Sequence, residues 1–188
     1  MSTQASPNAF SSSEPTRKGL VQIFTGDGKG KTSAALGVAL RALGHGLRVC
    51  IVAFMKGGYP YGEWEVLSKL PNVKILRFGF KTFTNPKEVK PEEIEQAWQA
   101  LAAAREAVSG GQYDLVVLDE VNVAVGWKLI DLDEVVKLVR GKPRDVELVL
   151  TGRRADAQLV EMADLVTECL KIKHPYDEGI TAREGFEY

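Results

Sequence analysis

The chain has 188 residues, enough for one domain with a sizeable buried core, and its 45% hydrophobic and 26% charged residues are an ordinary soluble balance. The net charge of −1 provides no global basic field, which argues against nucleic acid or an acidic membrane surface as partner. No apolar run is long enough to span a membrane, and residues 1–16 lack the apolar core of a secretory signal, so the expected setting is the cytoplasm.

Residues 1–18 read as a flexible N-terminal segment and 19–188 as one folded domain. An apolar strand at 20–24 runs into Thr25, Gly26, Asp27, Gly28, Lys29, Gly30, Lys31 and Thr32, and a helical pattern opens at Ser33. Strand, glycine-rich loop, Gly-Lys-Thr and helix is the layout of a phosphate-binding P-loop. Closely spaced glycines let backbone N–H groups converge on an anion, and the new helix adds its positive end. Lys31 is expected on the phosphates and the Thr32 hydroxyl on Mg2+. The usual signature begins with Gly where this chain has Thr25, and Lys29 adds a cation inside the loop.

Arg41 lies three turns into the helix, as a nucleotide contact or a surface cation, and Gly44 and Gly46 end that helix. A continuous apolar strand at 47–54, a loop and a short helix through Trp64 and Leu67 follow. A strand at 73–78 leads into an irregular segment with Phe80, Phe83 and Pro86. Pro91 opens a long helix with acids in its first turn, and Ile94, Ala97, Trp98, Leu101 and Val108 fit one apolar face, which puts Trp98 in the core. A buried strand at 115–118 delivers Asp119 and Glu120. Asp131 caps a helix at 132–139, and a strand at 146–150 delivers Thr151, Gly152, Arg153 and Arg154. A helix over 155–162 and an extended segment over 165–172 complete the pattern. Apolar strands separated by helices predict an α/β fold, a mostly parallel sheet with helices on both faces.

A carboxylate at the end of a buried strand is costly unless something pairs it. Behind a P-loop that partner is Mg2+, held by Thr32 with Asp119 or Glu120, and the spacing does not choose between the two acids. Arg153 and Arg154 follow the next strand, at the edge where open parallel sheets bind ligands. Tyr59, Tyr61, Trp64, Phe80 and Phe83 fall in loops near the same edge and suit a flat, apolar pocket. Cys50 and Cys169 lack the spacing of a metal or redox pair and read as buried thiols. No Ser/His/Asp or Cys/His arrangement is readable.

Taken in order, residues 25–32, the run Arg41, Ala42, Leu43, Gly44, His45 and Gly46, and Val117, Leu118, Asp119, Glu120, Val121 and Asn122 resemble the P-loop type of ATP:corrinoid adenosyltransferase. So do Val149, Leu150, Thr151, Gly152 and Arg153, residues 163–168, and the segment Lys173, His174, Pro175 and Tyr176 through Ile180. The resemblance spans about 19–188. It implies a P-loop NTPase fold with a RecA-like sheet, and transfer of the 5′-deoxyadenosyl group of ATP to the cobalt(I) of a reduced corrinoid. Triphosphate leaves, and the product serves adenosylcobalamin synthesis or salvage. It further implies Mg2+, a homodimer, a flavoprotein-type electron donor for cobalt(II), ATP reversed along the loop, and an N-terminal segment folded over the site.

On this resemblance Gly26, Asp27, Gly28, Lys29, Gly30, Lys31, Thr32, Ser33, Arg41 and Arg153 contact the nucleotide, and Lys31 and Phe80 carry catalysis. Cobalt(I) is itself a powerful nucleophile, which agrees with the lack of a general-base constellation. The protein's tasks are to align C5′ with cobalt and to stabilise the departing triphosphate. The family places aromatics beneath the corrinoid in a segment reading Gly-Phe-Thr-Trp. Here it reads Gly79, Phe80, Lys81, Thr82 and Phe83, which makes Phe80 the closer match and Phe83 the weaker. Two other readings stay open: a RecA-like ATPase or small-molecule kinase in which Glu120 orients the attacking group, and an adenosylcorrinoid delivery protein.

Overall fold

The computed structural model describes residues 18–58, 60–82 and 84–188. The N-terminal segment, apart from Lys18, and the loop aromatics Tyr59 and Phe83 lie outside them.

Strands β1 (Val21–Thr25), β2 (Val49–Ala53), β3 (Val73–Arg77), β4 (Leu115–Asp119), β5 (Glu147–Thr151) and β6 (Leu165–Glu168) form one sheet. Their order is β3-β2-β4-β5-β1-β6, and every neighbouring pair is parallel. Parallel strands need crossover connections. These carry helices α1 (Lys31–Gly44), α2 (Gly62–Leu67), α3 (Pro91–Ser109), α4 (Val121–Gly126), α5 (Leu132–Arg140) and α6 (Ala157–Met162). No helix among the described residues is long and apolar enough to cross a membrane.

The neighbouring interior strands β2 and β4 are buried at every residue, which explains why they read as unbroken apolar runs. Successive side chains alternate between two cores. Cys50, Val52, Val116, Leu118, Leu148 and Leu150 pack with α3 and α5 on one face. Val49, Ile51, Leu115, Val117 and Val149 pack with Ala35, Leu36 and Ala39 of α1 and with Trp64 and Leu67 of α2 on the other. Burial pushes the Cys50 thiol up to about 12, so it acts as an inert core residue. Cys169, expected to be buried, is only partly so.

Helix α3 lies on the sheet through Ala97, Ala100, Leu101, Ala104, Ala107 and Val108. Trp98, expected in the core, is instead 36% exposed, and Ile94 is exposed beside it. Alanines dominate the buried stripe, with Leu101 and Val108 as its larger members. Ile94 and Trp98 fall on the rim of that stripe, where their bulk projects outward.

The strand order has one consequence for chemistry. β5 stands between β1, which leads into the P-loop, and β4, which carries the acids. Two strand spacings, about 10 Å, separate their backbones, and the residue that spans this gap is Thr151.

Candidate active site

The P-loop turns through Gly26 and Gly30 at φ 95° and 120°, conformations that favour glycine. A Cβ on Gly26 would stand 2.5 Å from the Cys169 carbonyl oxygen, and one on Gly28 2.5 Å from that of Leu170. The chain leaving β6 therefore braces the loop. The Gly28 N–H donates to the Cys169 carbonyl at 2.7 Å, so this amide stiffens the loop and does not face an anion. Thr25, where the usual motif has glycine, accepts a hydrogen bond at its hydroxyl from the Ala155 N–H at 3.0 Å. That contact ties β1 to the Arg153–Arg154 turn, and a glycine could not make it.

Lys31 is buried and donates to the Gly28 carbonyl at 2.6 Å. Burial holds its ammonium below the usual range, and the Glu120 carboxylate opposes that shift. Lys29 reaches the end of the chain, donating to the Phe186 carbonyl at 2.7 Å and the Glu187 carboxylate at 2.8 Å.

Asp119, at the end of β4, is fully buried and accepts hydrogen bonds at both oxygens. Its Oδ1 accepts from the hydroxyls of Thr32 at 2.9 Å and Thr151 at 2.7 Å, and its Oδ2 accepts from Lys56 Nζ at 2.6 Å. The Thr151 hydroxyl in turn accepts from the Glu120 N–H at 2.9 Å. Glu120 takes a left-handed conformation, φ 64°, as the chain turns from β4 into α4. Its half-buried carboxyl has its pKa raised by burial and by the adjoining Asp119. Lys56 also lies 3.3 Å from the Thr32 hydroxyl and 5.0 Å from the Tyr61 ring centroid. Burial alone would lower its pKa, but the Asp119 and Glu120 carboxylates outweigh burial and raise it.

Mg2+ binds through a few protein oxygens together with phosphates and water. Both oxygens of Asp119 are already taken, whereas Glu120 presents a carboxylate whose charge burial disfavours and a divalent cation would stabilise. The donor set thus fits Thr32 and Glu120 as direct ligands, with Asp119 orienting the Thr32 hydroxyl. Among the described residues no three His, Cys, Asp or Glu side chains gather as a metal cluster. Phosphate oxygens would have to complete the shell.

Among the cavities that the described residues form at the C-terminal edge of the sheet, two adjoin. One, about 620 Å3, is lined by Gly28, Lys29, Gly30, Lys31, Thr32 and Ser33, with the chain end at Glu187 and Tyr188 across from them. The other, about 530 Å3, is lined by Asp27, Phe54, Val123, Trp127 and Arg154, with Thr84 and Pro86 from the loop after β3. Lys56, Tyr61, Glu120 and Arg153 line both, forming a neck between them.

Most expected site residues thus converge on this edge. Arg41 does not: it is exposed in the last turn of α1, about 15 Å along the helix from Lys31, and lines neither cavity. Phe80 is 44% exposed just beyond β3 and also lines neither. Trp64 lies on the expected short helix, now α2, but it is a core residue edge-on to Tyr61 at 6.5 Å and lines neither cavity. Sequence reasoning missed Lys56, Trp127 and Glu187. A cation directly after β2 was the available signal for Lys56, and an aromatic one short helix beyond Asp119-Glu120 was the signal for Trp127.

Residues 17–188 match the family model for the ATP:corrinoid adenosyltransferase BtuR/CobO/CobP. A corrinoid adenosyltransferase of Escherichia coli strain K12 is 35% identical over 172 residues, 91% of this chain and 86% of that protein. One from Sinorhizobium sp is 38% identical over 176 residues, 91% of this chain and 81% of its own length. Among solved structures, a KaiC-like protein from Pyrococcus horikoshii aligns with a TM-score of 0.52 at 16% identity, over 80% of this chain and 72% of that one. That last likeness concerns the fold alone.

Proposed function

The chain belongs to the ATP:corrinoid adenosyltransferase family, and from this premise we propose that it moves the 5′-deoxyadenosyl group of ATP to the cobalt(I) of a reduced corrinoid, releasing triphosphate. The observation that carries the reading is the pair of cavities joined at one neck. One is a glycine- and lysine-rich cradle for the triphosphate, and the other is large enough for a nucleoside and the edge of a flat ring system.

Bond accounting matches the residues present. The C5′–O bond breaks with its electron pair passing to the α-phosphate oxygen, and the cobalt(I) pair forms the cobalt–carbon bond. No proton needs to move, so no general base is needed. Lys31, Lys29 and Arg153, with the loop amides, hold the phosphates and stabilise charge on the leaving group. Gly26, Asp27, Gly28, Gly30 and Ser33 shape the cradle, and the 19–188 segment acts as one unit. Mg2+ held by Thr32, Glu120 and the phosphates supplies further positive charge to the triphosphate when bound. The exposed ring of Phe80 is available to a corrinoid face. The protein works as a homodimer in the cytoplasm, with a flavoprotein-type donor reducing cobalt(II).

The test is to incubate the protein with ATP, Mg2+ and chemically reduced corrinoid, following the corrinoid spectrum and the phosphate product. Adenosylcorrinoid and triphosphate in equal amounts are expected, and Lys31→Ala should cut the rate by about 100-fold or more. ADP as the product would replace this reading with an ATPase or kinase. One equivalent of retained corrinoid without turnover would replace it with a delivery protein.

A further inference from the structure

We infer that Lys56 is a catalytic residue of this transfer, its ammonium stabilising the negative charge that gathers on the α-phosphate oxygen as the C5′–O bond breaks. The inference deepens the adenosyl-transfer reading and rests on it.

Position is the first support. The bond that breaks joins the triphosphate half of ATP to its nucleoside half. With the triphosphate in the P-loop cavity and the nucleoside in its neighbour, that bond lies at the neck, which Lys56 lines with Tyr61, Glu120 and Arg153. Of the two cations there, Arg153 is exposed and Lys56 is buried. A charge shielded from water acts more strongly on charge developing beside it.

The second support is that Lys56 is held in place before any ligand arrives. Its N–H donates to the Phe78 carbonyl at 2.8 Å, and its own carbonyl accepts from Arg77 Nε at 3.0 Å. Met55 precedes it at φ 58°, an unfavourable conformation for a non-glycine residue that persists only where the surroundings over-determine it. Gly57 follows, where a Cβ would stand 1.9 Å from the Gly79 carbonyl oxygen. The loop is thus wedged against the end of β3 with one lysine directed inward.

The third support is donor count. An ammonium has three N–H donors. Among the described residues two are hydrogen-bonded, to Asp119 Oδ2 and the Thr32 hydroxyl, and the third has only the Tyr61 ring, 5.0 Å away at its centroid, a partner that a phosphate oxygen would outcompete. A residue that served only as counter-ion to Asp119 would not need a place on both cavities.

The experiment compares Lys56→Gln and Lys56→Met with the unmodified protein on two substrates. These are ATP and an analogue with sulfur at the 5′ bridging position, whose thiolate leaving group carries charge with less assistance. With ATP, kcat should fall about 100-fold. With the sulfur analogue the loss should shrink to about tenfold or less, while the Kd for ATP without corrinoid stays within about threefold. Equal losses on both substrates, or a weakening of ATP binding that accounts for the whole loss, would reduce Lys56 to the counter-ion of Asp119 and overturn the inference. Melting curves identify a variant that fails to fold. Should Lys56→Met do so, Lys56→Gln keeps a donor for Asp119 and carries the comparison. Failure of the unmodified protein to make adenosylcorrinoid would instead strike at the adenosyl-transfer reading.

Discussion

Thr151 shows how much of this site depends on one hydroxyl. It donates to Asp119 and accepts from the Glu120 N–H, so it joins the two acids from the strand between them and the P-loop. Thr151→Val keeps the shape but leaves a buried carboxylate and an amide short of a partner. A loss of about 1–3 kcal/mol in urea unfolding is expected; unchanged stability would mean the acids do not rely on it. Phe80 makes a different prediction. If its ring displaces a lower cobalt ligand, Phe80→Ala should slow reaction from cobalt(II) by about tenfold while barely changing reaction of pre-reduced cobalt(I). Equal losses would remove that role. The residues legible in advance were those whose chemistry is local: the glycines, Lys31 and Thr32 within one loop, and Asp119-Glu120 after one strand. Lys56 was not, because a lysine between Met55 and two glycines reads as a solvated turn. Its partner is 63 residues away, and only the pairing of β2 with β4 brings them together.

Elements were easier to read than their surroundings. The six strands and the helices α1, α2, α3, α5 and α6 fell close to their patterns, because continuous apolar runs and glycine stops are strong local signals, whereas the short helix α4 directly after Glu120 was not read. What the pattern could not supply was strand order and the side from which each helix is covered, hence the misplacement of Trp98. The extended segment expected over 165–172 pairs as a strand only through Glu168. Beyond it the chain wraps the P-loop, where its carbonyls at Cys169 and Leu170 fill the space that side chains on Gly26 and Gly28 would need. The β2–α2 loop is packed in the same manner against the end of β3. Gly57→Ala forces a Cβ onto the Gly79 carbonyl, and a loss of about 1–3 kcal/mol, or roughly 2–10 °C in Tm, is expected. A melting curve unchanged from the unmodified protein would show that the loop yields.

At the scale of the whole molecule, the near-zero net charge leaves attraction of a polyanionic nucleotide to local groups. Lys29, Lys31, Lys56 and Arg153 all meet at one edge of the sheet, and Lys29 is shared with the far end of the sequence. The Glu187 carboxylate is held down at about 2 by Arg183 and Lys29, against its ordinary 4.5. A depressed carboxylate stabilises its contact fully above about pH 4.5 and loses that contribution as pH falls towards 2. The contact therefore stays closed throughout the neutral range, and acidity is not what opens it. A phosphate group competing for Lys29 is expected to open it.

That arrangement makes occupancy of the cradle readable from outside it. With Lys29 drawn to a nucleotide, Phe186 and Glu187 lose their tie to the P-loop, while Arg183 still holds the Glu187 carboxylate. ATP should then speed the amide exchange of residues 183–188, and Lys29→Ala should show the same without ATP. Protection by ATP would mean that the tail closes on the ligand. Either way, residues 183–188 are a natural reporter, and a fluorophore at the exposed Glu184, which does not line the cradle, would record filling and emptying in real time.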